Sequence, residues 1–238
     1  MKIDLNCDLG EGIGNDAAIM PFITSTNIAC GLHAGDSSIM RRTIQLAKTH
    51  SLNIGAHPSW DDRENFGRRE MNIPPAEAES IVFDQIQSLI EIAKSENVLL
   101  SHIKPHGALY NQAAKDINLA NAIVHAIKRF GRGEVPSPAL MGLAGSKLCE
   151  VGESAGLKVI REGFPDRTYH SDGTLMPRGQ KGAVIEDPQE VAANAVQLVK
   201  TGRVDTLCLH GDHPQAVENA RQVRQGLLDH HITLEGFK

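Results

Sequence analysis

Seven times along this chain a short apolar run leads through a polar loop into a segment with apolar residues at helical spacing. The runs open at Ile3 and cover Thr24–Ala29, Leu52–Ala56, Val98–Ile103, Ala139–Leu143, Lys158–Glu162 and Asp205–Leu209. Strands that alternate with helices belong to a parallel sheet, since a parallel neighbour is reached only by a crossover long enough to hold a helix. The helices carry their own signals. Asp36 is placed to cap a helix with Met40, Ile44 and Ala47 on one side, and Pro74–Pro75 opens one whose Val82, Ile86, Leu89, Ile90 and Ala93 form a stripe. Leu119, Ile123, Ala126, Ile127 and Phe130 align in another. Ser146–Ala155 reads as a short helix, and Pro188 and Pro214 lead into the last two. Asn15–Ile23 reads as a short helix interrupted at Pro21, and Gly131–Pro138 as a turn.

A seven-stranded parallel sheet is either open or closed. Histidine, aspartate, lysine or arginine follows six of the seven runs, all but the one at Ala139. An open sheet collects its ligand at one switch point, whereas a barrel brings every strand end to one mouth. The even spread favours closure, and 238 residues suit one such domain over 1–238. Two loops, His57–Ile73 and Gly163–Asp187, are long enough to expect function from them.

The first strand has two unlike sides. Ile3, Leu5, Cys7 and Leu9 share one face, and Asp4, Asn6 and Asp8 the other. Buried carboxylates are costly unless paired, hydrogen-bonded or used for chemistry. An edge strand with its polar face in water is the plain alternative.

A net charge of -5 excludes a broad nucleic-acid surface, and no apolar run approaches the roughly 18 residues of a membrane span. Cys7, Cys30, Cys149 and Cys208 are widely separated, which indicates neither a disulfide framework nor a zinc knuckle. Nothing points to export, so a reducing cytoplasm is the expected setting.

Asp8 and Glu11 are the first candidates for a general base or for cation binding. Against them stand solvent-facing or helix-terminal charges. His33, His57, His106 and His210 each follow a different strand and suit proton transfer or metal ligation, although a single histidine so placed commonly satisfies only a hydrogen bond. Lys104, stiffened by Pro105, is suited to neutralise Asp4 or Asp8 or to hold an anion. Arg68, Arg69, Arg167 and Arg178 are suited to bidentate anion contacts. Cys7 and Cys30 read as small buried residues rather than nucleophiles. Gly142–Lys147 lacks the full phosphate-loop pattern and reads as a turn into a helix.

The blocks Asp4–Glu11, Asn27–Asp36, Gly55–Pro58 and Lys104–Asn111, with Phe66–Arg69, Asp166–Arg167, Asp172–Arg178 and His210–Asp212, closely resemble the LamB/YcsF family along essentially the whole chain. The resemblance implies a seven-stranded (β/α) barrel of the glycoside hydrolase/deacetylase type. It implies ATP-dependent opening of 5-oxoproline to glutamate, with separate subunits B and C as partners. On this reading Asp8, His57, His106 and Lys104 are the catalytic candidates. Asn6, Glu11, His33, Arg68, Tyr110, Asp166, Arg167 and His210 are the substrate-binding ones. ATP is the expected cofactor, and a divalent metal is left open with Asp8, His33 and His57 as its candidates. Two other functions stay open: a metal-dependent deacetylase or amidohydrolase, and a non-catalytic subunit that only binds 5-oxoproline.

Overall fold

Strand β1 (Lys2–Leu9) is buried from its second residue to its last, as a strand between a packed interior and a helical shell must be. The computed structural model describes residues 1–131 and 137–237. Helix α1 (Asp16–Ile19) passes into a 3-10 turn at Met20–Phe22, where Pro21 breaks the α-helical pattern as expected. Then come β2 (Ser25–Ala29), α2 (Ser37–Thr49), β3 (Asn53–His57), α3 (Pro75–Ser95) and β4 (His102–Ile103). After α4 (Gly107–Ala113) and α5 (Ile117–Lys128) follow β5 (Ala139–Leu143), α6 (Lys147–Ser154) and β6 (Val159–Gly163). The chain finishes with α7 (Pro188–Lys200), β7 (Thr206–His210), α8 (Ala216–Asp229) and β8 (Thr233–Leu234). Strands β1 to β7 pair in parallel in chain order, and β1 pairs with both β2 and β7, which closes a seven-stranded barrel.

The helix signals act locally as read. Asp36 accepts from the backbone NH of Ile39, and the Ser146 hydroxyl accepts from that of Cys149, so the Gly142–Lys147 segment is a strand end running into a capped helix. Two expectations need correction, and one short strand is added. The strand expected over Val98–Ile103 shrinks to two residues, because Asn97 turns with φ +55° and the Val98 NH stays on the α3 carbonyl of Ala93, leaving Leu99 82% exposed. The helix after Lys104 is two helices, since Asp116 restarts the chain by capping α5 through the NH groups of Asn118 and Leu119. Strand β8, pairing with Lys2 and Ile3, has too few residues to show an alternation. The turn expected over Gly131–Pro138 falls for the most part outside the described residues.

The alternation on β1 sorts its side chains as expected. Ile3, Leu5, Cys7 and Leu9 join the main apolar core, and the acidic face is buried rather than set in water. Asp4 is satisfied by three hydroxyls, those of Thr24, Ser25 and Thr206, and not by Lys104. Burial nevertheless raises its pKa to about 6. Phe237 packs on Ala139, Met141 and Ile160, and the His102 ring meets Phe237 edge-on. Gly55 makes room for that ring, since a Cβ there would lie 2.3 Å from His102 Nε2. Among the described residues no helix is long and apolar enough to cross a membrane.

Candidate active site

At its C-terminal end β1 delivers Asp8, β3 ends in His57, and Lys104 follows β4 before Pro105. Register puts Asp8 level with Asn27 on one side and His210 on the other. Asp8 Oδ1 accepts from Lys104 Nζ at 2.7 Å and Asn27 Nδ2 at 2.8 Å, while the other Asp8 oxygen, Oδ2, lies 3.3 Å from His57 Nε2. The same ammonium lies 3.0 Å from Glu162 Oε1, so one lysine serves two buried carboxylates. Burial opposes ionisation of Asp8, yet the adjacent His57 and the charge of Lys104 outweigh it and hold the carboxyl well below its ordinary range. Burial likewise opposes the charge on Lys104, and Asp8, Cys208 and Glu162 overcome it. Both partners are therefore charged at neutral pH.

Two backbone carbonyls decide the state of two imidazoles. His57 Nδ1 is 2.7 Å from the Lys104 oxygen, and His106 Nε2 is 2.8 Å from the Phe66 oxygen. A carbonyl only accepts, so each of those nitrogens carries a proton. His57 Nε2 and His106 Nδ1 are left facing each other at 2.9 Å. Phe66 is held in the left-handed region at φ +56°, and its neighbour Gly67 packs so tightly that a Cβ on Gly107 would lie 2.5 Å from the Gly67 oxygen. That junction aims the Phe66 carbonyl at His106.

Behind the pair, His33 stacks on His106 at 3.8 Å between ring centroids, and Glu11 Oε1 lies 3.5 Å from His33 Nε2 and 3.7 Å from His106 Nδ1. Burial, then the charges of Asp8 and Asp212, push the Glu11 carboxyl well up. Burial lowers His33 and His106 as bases. Among the described residues, neither buried ring nitrogen of His33 has a hydrogen-bond partner. Asp8, His57 and His106 form one group of possible metal donors, and Glu11, His33 and His106 another. His106 thus stands where the sequence had suggested His33 beside Asp8 and His57, and this imidazole and carboxylate set fits a divalent transition ion.

Above these groups opens a cleft of about 400 Å³, into which Asp8, His57, Lys104 and His106 look from the floor. Tyr110 and Phe164 line one wall, and Arg68, Arg167, Arg178 and His210 complete the rim. His210 Nδ1 is tied to Asp166 Oδ2 at 2.6 Å, which leaves Nε2 as the nitrogen available to the cleft. Arg68 pairs with Asp212. Arg167 spends donors on the carbonyls of Ala183 and Met176, pinning the loop that carries Arg178, and Arg69 is largely exposed.

The residues singled out in the sequence therefore fall into two shells. Asp8, His57, Lys104, His106, Arg68, Tyr110, Arg167 and His210 line the cleft, whereas Asn6, Glu11, His33 and Asp166 stand behind it. Asn6 donates to Glu162 and accepts from Asn27, deep in the barrel. Sequence reasoning missed Glu162, which takes Lys104, Asn6 and, at 2.8 Å, the Tyr110 hydroxyl. The signal was its phase: Glu162 shares the inward face of β6 with Ile160. Asn27 was missed for the same reason.

The LamB/YcsF family model matches residues 3–238. A relative from Pyrococcus abyssi, the A subunit of 5-oxoprolinase, is 44% identical over 255 residues, covering 100% of this chain and 98% of that protein. The crystal structure of a lactam utilization protein from Thermus thermophilus is 40% identical, covers 100% of both chains and superposes with a TM-score of 0.91. The T48 deacetylase, at 15% identity and a TM-score of 0.53 over 99% of this chain and 87% of its own, shares the barrel fold alone.

Proposed function

This chain belongs to the LamB/YcsF family, and from that premise we propose that it is the A subunit of an ATP-dependent 5-oxoprolinase, opening the 5-oxoproline lactam to glutamate with subunits B and C. The observation that carries the reading is the floor of the cleft, where a carboxylate held ionised by a buried lysine faces a pair of imidazoles beneath a rim of arginines. Cys7, Cys30, Cys149 and Cys208 are all free and buried, as suits a cytoplasmic enzyme.

A lactam resists water because its nitrogen is a poor leaving group and its carbonyl is resonance-stabilised. In the proposed reaction the amide oxygen takes the γ-phosphoryl group of ATP as the bond to ADP breaks. Water then adds to the activated carbon, the ring C–N bond opens with a proton delivered to nitrogen to give γ-glutamyl phosphate, and a second water displaces phosphate to leave glutamate. Asp8 orients and activates the first water, and the facing nitrogens of His57 and His106 relay its proton. Lys104 is wholly engaged with Asp8 and Glu162, so its part is to keep Asp8 ionised. Arg68 and Arg178 are placed for the substrate carboxylate or the phosphoryl group. His210, held by Asp166, is placed to supply the proton to nitrogen.

The test is ATP-coupled glutamate formation with all three subunits present. Asp8→Asn should remove at least about 100-fold of the rate while folding normally. Near-normal turnover by that variant sinks the assignment, and retained 5-oxoproline binding alongside it would make this a binding subunit. The group Asp8, His57 and His106 also favours a metal-dependent amidohydrolase, for which activity without ATP or partners is the signature.

A further inference from the structure

We propose that Asp8, His57 and His106 bind one divalent transition ion of the Zn²⁺ class, with Glu11 as the neighbouring carboxylate and His33 as a packing ring rather than a ligand.

Three features of the cluster lead there. The carbonyls of Lys104 and Phe66 fix the far nitrogens of His57 and His106 as donors, so the facing nitrogens present lone pairs to one point. Two lone pairs at 2.9 Å repel unless something positive lies between them. Asp8 adds a third donor at that point, since Lys104 and Asn27 occupy its Oδ1 while Oδ2 lies 3.3 Å from His57 Nε2. Metal bonds of about 2.0–2.2 Å to nitrogen and oxygen set tetrahedral donors roughly 3.3 Å apart, close to the separations here.

Ring orientation chooses between the two donor groups that share His106. An imidazole binds a metal in its own plane, along the lone pair. The rings of His57 and His106 are nearly perpendicular, at 87°, so their planes intersect and one ion can lie in both. His33 and His106 are parallel within 6° and stacked at 3.8 Å, so no ion lies in the plane of both. The Glu11, His33 and His106 group therefore does not form the site.

Bound ion would supply Lewis acidity to the water of the proposed reaction, in place of a proton shared by His57 and His106. Ion binding itself does not rest on the lactam reading. A chain that binds Zn²⁺ but opens no lactam with its partners overturns that reading and leaves this one standing, and the reverse result does the opposite.

The experiment is calorimetric titration of the chelator-stripped full chain with Zn²⁺, together with the visible spectrum of the Co²⁺ form. One ion per chain is expected, with a low-symmetry spectrum of nitrogen and oxygen ligation. Binding should weaken by more than about 100-fold in His57→Gln and in His106→Gln, beyond what loss of an outer partner causes, and by less than roughly 10-fold in His33→Gln. Thermal unfolding of the wild-type chain should rise with Zn²⁺ concentration, a readout that needs no variant to fold. Absence of saturable binding and of any thermal shift overturns the proposal, as does equal affinity in folded His57→Gln and His106→Gln.

Discussion

Lys104 Nζ stands 2.7 Å from Asp8 Oδ1 with both side chains buried, joining a residue on β1 to one 96 positions later. A lysine so placed cannot reach into solvent, so its charge exists to balance carboxylates. Replacing it by Met keeps the stem and removes the charge, leaving Asp8 and Glu162 facing each other. Lys104→Met should cost about 3–5 kcal/mol of stability, measured by urea unfolding. Adding Glu162→Gln in that background should recover part of the loss, because one of the two stranded charges is gone.

The tie between His210 and Asp166 is expected to matter for turnover more than for substrate affinity. Asp166→Asn removes the charge that holds Nδ1 of His210. Steady-state kinetics of the assembled enzyme should show kcat falling by about 10-fold or more, on the order of the general acid–base contribution, with KM nearly unchanged. A raised KM at constant kcat would instead assign His210 to substrate binding.

Gly55 and His102 are coupled by space. Gly55→Ala puts a methyl group 2.3 Å from the His102 ring and should destabilise the chain by about 1–3 kcal/mol. A double-mutant cycle with His102→Ala should show that Gly55→Ala costs less once the ring is gone. Purely additive losses would refute the contact.

Asp4 gives the stability a definite pH dependence. Its folded pKa of about 6 lies above the ordinary 3.8, so the folded state binds the proton more tightly. The stabilisation is complete below pH 3.8 and is lost as pH rises through about 6. Relative to Asp4→Asn, the wild-type chain should therefore lose on the order of 3 kcal/mol between pH 3.8 and about 7, read from denaturant unfolding across that range. A constant difference between the two proteins would count against the raised folded-state pKa of Asp4.

Local pattern by itself determined the seven strands, the capped helices and the two-sidedness of β1, because strand alternation and helix caps depend on residues a few positions apart. It also determined that acids, imidazoles and cations would follow most strands. Only the closed barrel decided who meets whom. Glu162 looked like an ordinary charge on a short strand until closure set it beside Lys104 and Asn6. Strand spacing alone did not separate His33 from His106, yet the Phe66 carbonyl aims one, while the nitrogens of the other have no hydrogen bond among the described residues. Arg167 read as an anion clamp, and besides lining the cleft it spends two donors on the carbonyls of its own loop. Each of these outcomes depends on distances between residues far apart in the chain, and a distance of that kind has no trace in local spacing. It is set when β1 pairs with both β2 and β7 and the two ends of the sheet are joined.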